Sequence, residues 1–97
     1  MGARHVGLGV AVPRICHFYG ITIAMYYAEH GRPHIHALYA EYECSMDIAS
    51  GEILAGGLPA RALRLVVEWV GLHRPELFAN WERAGRGEAL VPVNPLE

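Results

Sequence analysis

The sequence predicts an α+β domain: an antiparallel meander of three to four strands, then two helices packed on one face. Three observations lead there. Between Ile21 and Ile48, apolar residues recur at every second position, the period of a strand. Gly56-Gly57 then closes the alternating region. From Pro59 onward the apolar spacing lengthens to three and four, the period of a helix.

Taken in order, Met1 to Val12 carries one arginine and a short, Gly-broken apolar stretch. It lacks the long apolar region and small-residue cleavage site of a signal peptide. It is expected to be a frayed or disordered leader, or the product of an upstream start codon, before a single domain over residues 13–86. Residues 15–19 either extend the first strand or form one of their own. Ile21 to Ala28 alternates as a strand. Glu29-His30-Gly31-Arg32-Pro33 is a loop punctuated by Gly31 and Pro33. His34 to Tyr39 and Tyr42 to Ile48 are the next strands, and Ile53-Leu54-Ala55 is a short fourth. The two-residue connection Ala40-Glu41 lacks the glycine or asparagine that tight hairpins favour.

Pro59 suits a first helical position, and Leu63, Val66, Val67 and Val70 mark an apolar stripe widened by Ala62, Leu65 and Trp69. Gly71, His73 and Pro75 interrupt it. Pro75 is expected to open a second helix carrying Leu77, Phe78 and Trp81 to about Arg86. Trp69 and Trp81 are read as core anchors. Gly87 to Glu97 is expected as an extended tail.

Pairing these strands as successive hairpins divides their side chains between two faces. With Tyr39 opposite Tyr42, Ser45 falls opposite His36 and Asp47 opposite His34. With Ala28 opposite His34, Tyr26 falls opposite His36. One face then collects Ile21, Ile23, Met25, Tyr27, Ile35, Ala37, Tyr39, Tyr42, Cys44, Met46 and Ile48, to be covered by helices. The other collects Thr22, Tyr26, His34, His36, Glu43, Ser45 and Asp47. A one-residue slip would scramble this partition, so the apolar pattern itself resists it.

Composition narrows the function. No apolar run approaches the ~20 residues needed to span a bilayer. A formal charge of −2 disfavours nucleic-acid binding through bulk electrostatics. All eight basic residues are arginine, which excludes lysine chemistry. Cys16 and Cys44 form no C-x-x-C motif and are read as reduced thiols of a cytoplasmic protein.

The chemistry concentrates in Pro33-His34-Ile35-His36-Ala37. Two imidazoles at i and i+2 of a strand face the same way, roughly 6–7 Å apart. Such a pair binds a metal, holds an anion, shares a proton or simply faces water. A carboxylate beside an imidazole fixes its tautomer and raises its basicity. Asp47, Tyr26, His34 and His36 are therefore the candidate catalytic group, and His30, His34 and His36 the candidate metal ligands, with Asp47 as a further one. A divalent ion is the only cofactor the pattern suggests. The spacing also invites comparison with the HUH endonucleases and the histidine-triad hydrolases. The expected helices hold no tyrosine nucleophile, and Leu38 stands where a third histidine would be required.

Several stretches together carry a family resemblance: Pro13-Arg14-Ile15, Phe18-Tyr19-Gly20-Ile21, Met25-Tyr26-Tyr27, the histidine motif, Asp47-Ile48, Ser50-Gly51-Glu52, Leu58-Pro59, Arg61-Ala62-Leu63, Trp69 through His73, Glu76-Leu77, Asn80-Trp81 and Pro95-Leu96-Glu97. In these the chain resembles the small prokaryotic proteins grouped as domain of unknown function 4160. Arg32-Pro33 stands where that family usually has two prolines, and Ala40 lies near a usual glycine. The resemblance implies a stand-alone prokaryotic protein encoded beside a second small domain of unknown function (family 2442), as in a two-gene toxin–antitoxin-like cassette. It carries no established catalytic residue. The leading expectation is thus an interaction module for a small protein partner from a neighbouring gene. The alternatives are a ribonuclease-like or other phosphodiester-cleaving enzyme using His34 and His36, with or without a divalent metal, and a nucleic-acid-binding transcriptional regulator.

Overall fold

A computed structural model describes residues 13–97; the expected leader lies outside the described residues. Strands β1 (Arg14–Phe18), β2 (Ile21–Ala24), β3 (His34–Tyr39), β4 (Tyr42–Asp47) and β5 (Ile53–Gly56) form one antiparallel sheet in sequence order. One helix, α1 (Ala60–Gly85), follows. The α+β class holds, with five strands rather than three or four and one helix where two were expected.

The extra strand is β1. Tyr19 and Gly20 both take positive φ, 50° and 80°, the mirror-image turn that matches the twist of a two-residue hairpin, so Phe18 pairs with Ile21. β2 is shorter than expected. It ends at Ala24, and Met25 makes a last bond from its N–H to the Pro13 carbonyl at 3.1 Å. Proline has no N–H to return, so the ladder ends there. Across β3, His36 lies opposite Ala24, not Tyr26, a shift of two residues that preserves the faces. Tyr27 leaves the strand and is exposed, not packed in the core, and Tyr42 at the hairpin is exposed too.

β3 and β4 pair in the expected register: Tyr39 with Tyr42, His36 with Ser45, His34 with Asp47. The tight Ala40-Glu41 turn forms despite its sequence, with Ala40 at φ +52°. β5 joins β4 through a bulge between Ser45 and Met46.

α1 runs 26 residues, and its first helical residue is Ala60, with Pro59 just before it. The predicted break appears as a kink inside one helix: His73 leaves helical geometry at φ −125°, two residues before Pro75. Pro75 cannot donate to the turn before it, and its ring disfavours helical backbone at Arg74. Burial nevertheless continues across the kink through Ala62, Val66, Trp69, Val70, Leu77, Asn80 and Ala84. All of these except Asn80 meet Ile21, Ile23, Met25, Ile35, Ala37, Cys44, Met46 and Ile48 in one core.

The tail is held along this assembly. Val93 N–H donates to the Ile15 carbonyl at 2.9 Å, covering the outer edge of β1. Trp69 donates from its indole to the Asn94 carbonyl at 2.7 Å. Asn80, fully buried, donates to the Val91 carbonyl and accepts from the Val91 N–H and from Arg83.

Candidate functional site

Strand parity sets the site. Ile35 and Ala37 enter the core with no exposed surface, so His34 and His36 between them point to the opposite face. They are not open to solvent there: their side chains are 11% and 14% exposed. Cover comes from two directions. The loop between β2 and β3 brings Tyr26 edge-on to His36, with ring centroids 4.6 Å apart. The second half of α1 brings Trp81 against His34 at 5.0 Å. The two imidazoles lie 5.1 Å apart and steeply inclined to one another.

The same loop delivers Glu29. Its Oε1 lies 2.9 Å from His34 Nε2 and 2.8 Å from His36 Nε2, so one carboxylate oxygen bridges both rings. His34 Nδ1 lies 2.7 Å from the Arg32 carbonyl, and a carbonyl only accepts, so Nδ1 carries the hydrogen. His36 Nδ1 looks toward Glu43 at 3.6 Å. Glu29, His34 and His36 thus form a cluster whose ligand atoms all lie within 4.8 Å of one another.

The other candidates take different places. Asp47 does sit across from His34 in the ladder, but its carboxylate turns to the β4–β5 connection. One oxygen accepts from the Ser50 N–H at 3.0 Å and the Ser50 hydroxyl at 2.7 Å, and the other lies 3.6 Å from Arg32. The Ser50 hydroxyl bond is the main cause holding this carboxyl below its usual range; burial opposes it, and the Ser50 N–H, Arg32 and His34 reinforce it. Asp47 is a turn clamp, and the carboxylate at the rings is Glu29. His30 is exposed and stands outside the cluster. Tyr26 reaches His36 from the loop, not from a paired strand, and burial, with Glu43 and Glu29 nearby, raises its phenol further. It stays protonated near neutrality. Cys16 and Cys44 are buried free thiols with raised pKa, chiefly from burial, and are not poised as nucleophiles.

Sequence reasoning took His30 from this loop as the third ligand and missed Glu29 beside it. The signal that finds it is length: with β2 ending at Ala24, residues 25–33 have enough chain to fold back over the histidine face. Beside His36, a hollow of about 260 Å³ opens between Glu43, Ser45, Ala55 and Gly56.

A family model, domain of unknown function (DUF4160), matches residues 20–82 of the 97, which include β2 through most of α1 and all three cluster residues. No curated protein and no solved structure matches the chain. Among the described residues, no helix is long and apolar enough to cross a membrane. With its histidine strand, its turns and most of its helix inside the matched segment, the chain belongs to the domain of unknown function 4160 family.

Proposed function

We propose that this protein is an interaction module that binds a small protein partner, one component of a two-gene cassette, through the outward side of α1. The observation that carries this reading is what α1 leaves uncovered. One stripe of the helix is sunk in the core, yet Leu72 is 63% exposed at the kink, and Val67 and Phe78 are exposed on the same helix. Val67 lies before the kink, Leu72 at it and Phe78 beyond it, so exposed apolar side chains occur along both halves of the helix. Large apolar residues gathered on one exposed element are the usual anchors of a docking surface. Arg61 and Arg64 on the exposed first half of α1 suit a partner that is acidic around its apolar contact. Strand addition is less well supported: the tail covers β1, and β5 is short and bulged, both features that discourage pairing.

The test is co-purification with the protein encoded next to it. Leu72→Glu and Phe78→Glu are expected to weaken the complex at least tenfold, while His34→Ala and His36→Ala leave it unchanged. Intact binding by both helix variants would contradict the reading.

A second reading, a phosphodiester-cleaving enzyme, is favoured by the hollow beside His36. It ranks lower because both Nε2 atoms face Glu29 and His34 Nδ1 is bound to a carbonyl, which leaves His36 Nδ1 as the one ring nitrogen of the pair turned toward the hollow. RNA cleavage by the purified protein that is lost in His36→Ala would reverse that ranking.

A further inference from the structure

At His34 the ring and its two acceptors leave one position to be filled by a proton or a cation. Its Nδ1 must donate to the Arg32 carbonyl, 2.7 Å away. A neutral imidazole then presents a bare lone pair at Nε2, yet that atom lies 2.9 Å from a carboxylate oxygen, which also has only lone pairs to offer. A positive charge completes the contact: a second ring proton, giving an imidazolium paired with Glu29, or a cation bound by both atoms. His36 Nε2 converges on the same oxygen at 2.8 Å.

We propose that Glu29, His34 and His36 form a binding site for a divalent transition-metal ion of the zinc type, with both Nε2 atoms and the Glu29 carboxylate as ligands. The proposal does not depend on the partner reading.

Four features support it. Two imidazoles and one carboxylate are a borderline donor set that suits Zn²⁺, Co²⁺ or Ni²⁺ rather than Mg²⁺ or Ca²⁺, which prefer oxygen cages. The outer contacts are those of a metal-ligating histidine: the Arg32 carbonyl fixes the His34 tautomer and leaves Nε2 as the ligand atom, with Glu43 on the far side of His36. Trp81 and Tyr26 wall the two rings and restrict their rotation. Finally, the third ligand can adjust. Ligand atoms about 2.0–2.2 Å from one tetrahedral ion lie roughly 3.4 Å apart, so binding asks Glu29 to draw back by about half an ångström. Glu29 sits on an irregular loop, and its side chain is 31% exposed, so it has room to do so. Three protein ligands leave a fourth position for water or for a group from a partner.

The experiment uses the full-length protein, stripped with chelator, then titrated with Zn²⁺ by calorimetry and with Co²⁺ by visible absorption. One ion per chain is expected, with micromolar or tighter affinity, tetrahedral-type Co²⁺ bands, and a rise in Tm of roughly 10–20 °C at hundredfold excess over Kd. Glu29→Gln, which keeps the side-chain volume, is expected to weaken binding at least tenfold. His34→Ala with His36→Ala removes it, and His30→Ala leaves it unchanged. Far-UV circular dichroism confirms that each variant is folded. The proposal is overturned if folded wild-type protein takes up neither Zn²⁺ nor Co²⁺ stoichiometrically, or if Glu29→Gln and the double histidine variant bind as tightly as wild type.

Discussion

Asp47 and Glu29 show how neighbouring carboxylates divide between support and chemistry. Asp47 is 4% exposed and spends its oxygens on Ser50 and Arg32, closing the turn from β4 into β5. Glu29 is half-buried and spends one oxygen on two imidazoles. Replacing Asp47 by Ala is expected to cost about 1–3 kcal/mol, because two donors at Ser50 lose their acceptor. The cost depends on pH. The folded-state pKa of Asp47 is lowered, so its contribution is complete above the ordinary carboxylate value near 4 and is lost as pH falls through the folded value. Urea unfolding of wild type and Asp47→Ala should therefore differ at pH 6 and converge in strong acid. A constant gap down to pH 2 would show that the carboxylate is not the source.

Elements were legible where the cause was local. The alternation from Ile21 to Ile48 marked the core face, and Tyr39 opposite Tyr42 carried the whole β3–β4 register with it. The end of β2 was not legible, because Pro13 sets it from across the sheet. The break at Gly71-His73-Pro75 was visible, and α1 kinks there, at His73, with burial resuming at Leu77 beyond it. Gly56 illustrates a constraint read only from packing. It holds φ +73°, and a Cβ there would stand 2.2 Å from the Glu43 carbonyl oxygen, which is backbone and cannot swing away. Gly56→Ala is expected to destabilise by about 3 kcal/mol or more, measured by denaturant unfolding, and to loosen β5 first. A loss under 1 kcal/mol would mean that the backbone at Gly56 and Glu43 relaxes freely.

For the molecule as a whole, the histidine pair and its facing were legible, but what surrounds it was not. Glu29 and Trp81 arrive from a loop and a helix whose paths depend on the assembled fold, and neither distance follows from spacing along the chain. The tail is a similar lesson. Asn80 reads as a polar helix residue, yet it is fully buried and clamps both backbone groups of Val91. Asn80→Ala should release the tail from α1 and speed hydrogen exchange at Val91 and Val93 by about tenfold or more, with little change in the central strands. Unchanged exchange at Val91 would place the clamp elsewhere.

The tautomer of His34 bears most directly on the account, because the convergence of Glu29, His34 and His36 rests on it. Long-range proton–nitrogen NMR correlations at neutral pH are expected to show hydrogen on Nδ1 of His34, with the Nε2 resonances of both rings shifting when Zn²⁺ is added. A His34 ring with Nδ1 bare and Nε2 protonated would contradict it.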